Sequence, residues 1–257
     1  ELQAIDPSLL EYPVVLKPSR SVGEHNGQRV SLGVRHAADA ATVLAIVESL
    51  DDAAFPLLVQ QRIVGPGVGI FLLLWDGEVR ATFAHRRLRE KPVSGGVSVY
   101  SESVSADPAL VGRSRELLEQ MGWSGVAMVE YKVETKTGTP YLMEVNGRFW
   151  GSLQLAIDAG VDFPALLVGA ATGAPRADLA PYRTGVRSRW WWGDVDQLLS
   201  RWRKSPTTLA LPHDAPPRWR STLDFFKLCR PHERSDVFRV RDPRPFIRET
   251  IDWFHRR

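Results

Sequence analysis

The stretch from Gly125 to Asn146 limits the possible folds of this chain more than any other, because its alternation and its turn together specify a β-hairpin. Gly125-Val-Ala-Met-Val-Glu-Tyr-Lys-Val-Glu134 alternates like a half-buried strand, Lys136-Thr-Gly138 has the composition of a turn, and Pro140-Tyr-Leu-Met-Glu-Val-Asn146 reads as the return strand. A turn centred near Thr137 sets Glu130 opposite Glu144, Met128 opposite Asn146 and Lys132 opposite Leu142. Side chains alternate faces along a strand, so Glu144 and Asn146 share a face with Glu130. Like charges facing each other destabilise a sheet unless a cation lies between them. Two carboxylates and an amide oxygen form a hard, all-oxygen donor set that suits Mg²⁺ or Mn²⁺ held together with phosphate oxygens. The alternative is a solvated polar face in a different register.

Elsewhere the pattern alternates between strands and helices. Tyr12 to Lys17 reads as a short strand, Pro18 to Gln28 as a polar loop, Arg29 to Val34 as a second strand, and Ala38 to Leu50 as a helix with Val43, Ile46, Val47 and Leu50 on its apolar stripe. Leu57 to Val64 is a strand, and Gly65-Pro-Gly67 turns into another over Val68 to Trp75. The Gly65-Pro-Gly67-Val-Gly69 run lacks the dinucleotide-binding spacing and is read as a turn. Asp76-Gly77 is a hairpin signal leading into Glu78 to Arg87. Asp107-Pro108 opens a helix that Gly122 stops, and two further helices follow near Ser152 to Ala159 and Phe163 to Thr172.

Charge divides the chain unevenly. Residues 181–257 hold 17 Lys and Arg against 9 Asp and Glu, whereas residues 1–180 hold 16 against 21, and six of the nine tryptophans lie in the later segment. The Gly173 to Pro181 stretch marks the break, which gives an expected domain over 1–180 and a basic, Trp-rich extension over 181–257. Its tryptophans are expected to pack on the main domain while its arginines snorkel to water. Nucleic-acid binding by this segment is the lesser alternative, since its charges are scattered between Pro-rich turns and match no motif. A single cysteine, Cys229, excludes an internal disulfide framework. No apolar run approaches the ~20 residues of a membrane span, and a cytoplasmic location is expected.

Two more clusters bear on chemistry. Lys17 ends an apolar strand just before the loop Ser19-Arg-Ser-Val-Gly-Glu-His-Asn-Gly27, where a lysine can set a point charge on a phosphate while backbone N–H groups close over the rest. The run His85-Arg-Arg-Leu-Arg-Glu-Lys91, before Ser94-Gly-Gly96, would complete a phosphate cage with Lys17 and the carboxylates. Its plainer reading is an exposed basic strand end.

In order and spacing these elements resemble the ATP-grasp superfamily over about residues 10–170. The resemblance rests on Pro13-Val-Val-Leu-Lys-Pro18 with its loop, Leu57-Leu-Val-Gln-Gln-Arg-Ile63 as a hinge strand, Leu142-Met-Glu-Val-Asn-Gly-Arg148 as a metal strand, and Glu130 one strand earlier. His85-Arg-Arg-Leu-Arg with Ser94-Gly-Gly96, and Arg148-Phe-Trp-Gly-Ser152, look most like the carbamoyl-phosphate-synthase-like carboxylate–amine ligases. The resemblance implies an α+β fold in which two lobes with antiparallel sheets enclose ATP, and a reaction joining a small-molecule carboxylate to an amine. Lys17, with Ser19 and Gly23 of its loop, would contact phosphates. Gln60, Gln61, Arg62 and Ile63 would hold adenine, with Met143 near the purine. Glu130, Glu144 and Asn146 would hold Mg²⁺, Arg148 would stabilise the transferring phosphoryl group, and Arg86 and Arg87 would face the γ-phosphate or the acid. Where many members place an acidic residue for the ribose, this sequence has Gly67. Members normally carry an N-terminal α/β domain ahead of the point where this sequence starts, so the chain is expected to be a piece that binds nucleotide and is incomplete for catalysis. The alternative from another class is a nucleotide-binding module without catalysis.

Overall fold

A computed structural model describes residues 6–20, 22–25, 27–176, 178–212, 215–227 and 232–255. Cys229 and two positions of the loop after Lys17, Ser21 and Asn26, lie outside the described residues. The chain forms two compact units, Glu1–Ile63 and Val64–Arg257. The division therefore falls at 63/64, and the segment beyond residue 180 belongs to the second unit.

In the first unit the order is β1 (Val14–Pro18), β2 (Val22–His25), β3 (Gln28–Ser31), β4 (Arg35–Ala37), α1 (Ala40–Ser49) and β5 (Leu57–Gln61). An antiparallel sheet of order β4-β1-β5 carries α1 on one face, where Val14, Leu16, Ala37 and Val43 form the core. Asp39 starts α1 by accepting from the Thr42 amide at 2.8 Å. The loop expected over Pro18 to Gln28 is a ribbon of β2 against β3, with Gly27 at φ 74°. A left-handed residue suits the twist of a tight hairpin, so the polar loop composition concealed a strand pair. The strand expected over Arg29 to Val34 is correspondingly β3, and the partner of β1 is β4.

The second unit runs β6 (Gly67–Trp75), β7 (Glu78–Lys91), β8 (Val97–Ser103), α2 (Pro108–Gln120), β9 (Gly125–Val133), β10 (Pro140–Asn146), α3 (Leu153–Ala159), α4 (Phe163–Ala171), β11 (Arg187–Arg189), α5 (Trp191–Arg203), α6 (Arg218–Phe225), β12 (Glu233–Ser235) and α7 (Arg244–His255). A seven-stranded sheet of order β10-β9-β6-β7-β8-β11-β12 is antiparallel except between β11 and β12. Strand β6 is an inner strand, and Ile70 to Leu74 are no more than 1% exposed, which accounts for its unbroken apolar sequence. One face packs Phe71, Phe83 and Met128 against Trp150, Leu155 and Phe163 around α3 and α4; the other packs Ile70, Leu72 and Val129 against Leu110 and Leu118 of α2. The Asp76-Gly77 turn has φ of 52° and 74°, the paired left-handed conformation that its composition predicts.

Beyond residue 180 the chain completes this sheet. Strand β11 pairs with β8, and β12 with β11. The Trp190, Trp192 and Trp253 indole N–H groups donate to Glu249, Thr250 and Asp196, and Trp192 stacks on Trp253 at 4.3 Å. The expected snorkelling of arginines does not hold for Arg189 and Arg201, which are buried. Among the described residues no single helix is long and apolar enough to cross a membrane.

Candidate functional site

The β9–β10 hairpin sets Glu144 opposite Glu130 and Asn146 opposite Met128, as its alternation predicts. The third expected pair differs: Lys132 lies opposite Tyr141, because the register shifts between Leu142 and Glu144. Met143 sits in that bulge, half-buried. Asn146 donates its amide N–H to Glu144 Oε1 at 2.7 Å, which leaves the amide oxygen to face outward from that bond. Glu130 is 7% exposed while Glu144 is open to solvent.

Directly across from Glu130 on β6 is Gly69, and across from Gly69 on β7 is His85. At Gly69 and Gly67 the missing side chains leave room that neighbouring side chains fill. A Cβ at Gly69 would lie 2.9 Å from His85 Nε2, and one at Gly67 would lie 3.0 Å from Arg87 Cδ and from Glu90 Oε1. Gly67 is thus the position over which Arg87 and Glu90 extend. Arg87 donates to Glu130 Oε2, to Glu90 Oε1 at 3.2 Å and to the Gly96 carbonyl at 2.8 Å. Lys132 Nζ lies 3.9 Å from Glu90 Oε2. Glu130, Glu144 and Glu90 thus stand near two cations, Arg87 and Lys132. Burial pushes the Glu130 carboxyl up to about 7, Arg87 opposes the rise, and Glu144 and Glu90 add to it.

The basic run on β7 does not act as one cage. Arg86, next to Arg87, leaves on the opposite face and meets Glu102 at 2.9 Å. The register shifts again between Arg87 and Arg89, so Arg89 is also turned away, onto Asp194 and Asp224. Lys91 meets Asp196. His85 is buried, and burial, with Arg87 beside it, lowers its pKa to about 3, so it is a neutral ring; Nδ1 shares a 3.1 Å hydrogen bond with Ser152 Oγ. Of this run, Arg87 alone among the described contacts reaches Glu130. Glu90 and Gly96, part of the run and the glycine pair read from sequence, join the cluster beside Arg87, and Lys132 joins from β9 without any motif signal in the sequence.

After β10 the chain turns sharply. A Cβ at Gly147 would fall 2.3 Å from the Trp123 ring. Arg148 is exposed and donates to the Phe149 carbonyl at 3.0 Å, while Trp150 is buried against Phe71 with ring centroids 4.3 Å apart.

The remaining candidates lie in the first unit. Lys17 pairs with Leu58 and Val15 with Gln60, so Lys17 and Gln60 share the face of the sheet turned away from the Val14–Leu16 core. Gln61, on the other face, donates to Glu11 at 3.3 Å, and the Arg62 amide bonds Pro13 O at 2.9 Å. Ile63, just past β5, is half-buried. The Ser19 amide bonds Pro56 O at 3.1 Å. Gly23 is packed against Ala53, whose Cβ would lie 3.0 Å from a Cβ at that position. Close packing therefore accounts for a glycine there.

Among the described residues no three His, Cys, Asp or Glu side chains gather to hold a metal ion. The available donors are Glu130, Glu144 and the Asn146 oxygen, a set of hard oxygens that fits a small divalent cation sharing its sphere with phosphates.

Residues 54–193 match the profile of a family described as ATP-grasp in the biosynthetic pathway with Ter operon. No curated protein matches the chain. Among solved structures it resembles a biotin carboxylase complex from Campylobacter jejuni (TM-score 0.51, 17% identity, 69% of this chain and 41% of that one). It also resembles an L-amino acid ligase from Bacillus licheniformis (0.51, 20%, 70% and 44%). A third is the biotin carboxylase domain of Hydrogenobacter thermophilus 2-oxoglutarate carboxylase, determined with MgADP and bicarbonate (0.50, 19%, 69% and 40%). At these identities the likeness shows the fold, and the chain spans less than half the length of each.

Proposed function

The chain belongs to the ATP-grasp family of the biosynthetic pathway with Ter operon, and on that footing we propose that it serves an ATP-dependent carboxylate–amine ligase that activates a carboxylic acid as its acyl phosphate. The observation that carries the reading is the facing pair Glu130 and Glu144, with Asn146 beside it and the Arg87 guanidinium over it. Paired carboxylates beside a cation suit phosphoryl transfer, which needs positioning and charge neutralisation more than covalent chemistry. The similar solved structures support the reading: an L-amino acid ligase, and biotin carboxylases in complex with MgADP or β,γ-ATP.

Glu130, Glu144 and Asn146 would hold Mg²⁺, which when bound neutralises phosphate charge. In the reaction a carboxylate oxygen attacks the γ-phosphorus, the bond from that phosphorus to the bridging oxygen breaks, and ADP leaves. An amine then attacks the acyl carbon, phosphate departs, and the nitrogen loses a proton. Arg87 neutralises negative charge beside Glu130. Arg148, exposed at the end of the hairpin, is assigned to the transferring phosphoryl group. In the first unit Lys17, with Ser19 and Gly23 of the following ribbon, is assigned to phosphate contact, and Gln60 to Ile63 to adenine. Arg86 has no part in this assignment, since it faces Glu102.

The test uses the full-length protein with ATP, Mg²⁺, a panel of amino and hydroxy acids, and hydroxylamine. Acid-stimulated ADP and phosphate with a trapped hydroxamate are expected, and Arg148→Ala should slow this step more than it weakens ATP binding. AMP and pyrophosphate would rule out attack at the γ-phosphorus. No acid-stimulated turnover across the panel would leave a binding module instead.

A further inference from the structure

The segment beyond residue 180 is joined to β7 by buried charge, and the junction lies next to Arg87. Asp194 of α5, 0% exposed, accepts both Arg89 Nε and Nη2 at 2.6 Å in a bidentate pair, and also accepts Arg189 Nε at 2.7 Å. Arg89 has a third bond, to Asp224 at 2.8 Å, and its guanidinium lies 4.3 Å from the centre of the Tyr100 ring. Tyr100 donates to Glu233 at 2.6 Å, and Glu233 lies 3.6 Å from Arg189. Arg189, 1% exposed, is flanked by Trp191 and Phe225 at 4.2 and 4.4 Å. Farther along β7, Lys91 pairs with Asp196, and toward its start Glu102 joins Arg86 to Arg187.

These bonds fix a geometry that the strand would not adopt alone. In a regular strand residues two apart share a face, so Arg87 and Arg89 would point the same way. The irregularity around Leu88 breaks that rule and sends Arg87 to Glu130 and Arg89 to Asp194. A bulge lacking such anchors has a regular ladder as its competitor, one in which Arg89 would crowd Arg87 on the Glu130 side. A buried carboxylate gripping Arg89 by two parallel bonds disfavours that alternative, because leaving it would strand Asp194 without full pairing.

Resting on the proposed ligase reading, we propose that Asp194 and Arg89 are positioning residues, through which the C-terminal segment holds the β7 bulge and so directs Arg87 and Glu90 at the Glu130–Glu144 pair. The segment is then a working part of the site, although none of its residues faces Glu130 in the described contacts. Arg87 acts on the nucleotide side; Arg89 acts only through it.

The decisive variant is Arg89→Met, which keeps an unbranched apolar stem and removes every guanidinium bond. Asp224→Asn is made alongside it, because this carboxylate is 43% exposed and its change perturbs Arg89 more gently. The first readout does not depend on activity: the Arg87 side-chain N–H resonances, assigned by their loss in Arg87→Lys. Held by Glu130, Glu90 and Gly96, they should be resolved and slowly rotating in the parent, and averaged in Arg89→Met. The second is a cycle with Arg87→Ala in ATP turnover. Arg89→Met should lower kcat about tenfold in the parent with little change in KM, and less than about twofold once Arg87 is gone. Unchanged Arg87 resonances in both variants, or equal losses of kcat in the two backgrounds, would overturn the proposal. A parent without turnover but with the expected change in Arg87 resonances would sink the ligase reading and leave the positioning role standing.

Discussion

Replacing Glu144 with Gln should move stability and metal-dependent affinity in opposite directions, and the facing carboxylates supply the magnitudes. The Glu130 carboxyl stands at about 7 against an ordinary 4.5. At about 1.4 kcal/mol per pK unit, ionising it in the folded protein costs roughly 3 kcal/mol, with burial the largest part and Glu144 one of the smaller ones. Removing the Glu144 charge therefore relieves a fraction of that cost, on the order of 1 kcal/mol, so the metal-free variant should be as stable as the parent or slightly more so. The same change removes one of two charged oxygen ligands while keeping shape. Mg²⁺-dependent affinity for ATP should fall at least tenfold, or about 1.4 kcal/mol. Calorimetric titration of ATP with and without Mg²⁺, paired with denaturant unfolding of the metal-free proteins, measures both. A parent that binds ATP equally in the two conditions, or a variant that loses stability in step with affinity, would refute the reasoning.

Gly65→Ala should destabilise the second unit by about 2 kcal/mol or more, since the added Cβ would lie 1.8 Å from the Val133 carbonyl oxygen, an atom fixed in the sheet; thermal unfolding measures it, and an unchanged midpoint would contradict the packing. Asp236 is raised from 3.8 to about 6 by burial, with a hydrogen bond from Ser188 opposing the rise. Its protonated form contributes stability that is full below about 3.8 and lost as pH climbs to about 6, so Asp236→Asn should flatten the fall across that window by on the order of 1–3 kcal/mol in denaturant titrations at several pH values. Truncation after residue 180 removes β11 and exposes the β8 edge and Glu102, and the shortened chain should associate more than the full chain on size exclusion; a monomeric, equally stable 1–180 would show the segment to be independent.

How far the site could be read from sequence depended on the distance over which each residue is determined. The Glu130–Glu144 pairing needs only local alternation and a turn, both visible within 22 residues. The slip at Met143 has no sequence signal, because a bulge leaves alternation intact on either side of it, so alternation alone pairs Lys132 with Leu142 where the structure pairs it with Tyr141. The basic run on β7 was ambiguous for a different reason. Which arginine faces the carboxylates depends on Asp194 and Asp224, more than a hundred positions later, and nothing local marks them as partners. The buried arginines beyond residue 180 likewise depart from their usual preference for water, since Arg189 meets Asp194 of α5 and Glu233 of β12 and Arg201 donates to the Pro216 carbonyl, contacts that charge and composition do not mark. The fold itself was legible, as strand order and the metal-strand motif lie mostly in contiguous stretches.

Asp194 serves two guanidiniums from different strands, and this has an inheritance consequence. Losing the carboxylate first takes the shared partner from two guanidiniums at once, leaving Arg89 with Asp224 and Arg189 with the Phe225 carbonyl and the more distant Glu233, while losing either arginine first leaves Asp194 with a remaining cation. The less costly order of substitutions is therefore arginine before aspartate. In a set of descendants, chains that keep Arg189 should keep Asp194 whether or not they keep Arg89, and a lineage lacking Asp194 should have already replaced both arginines.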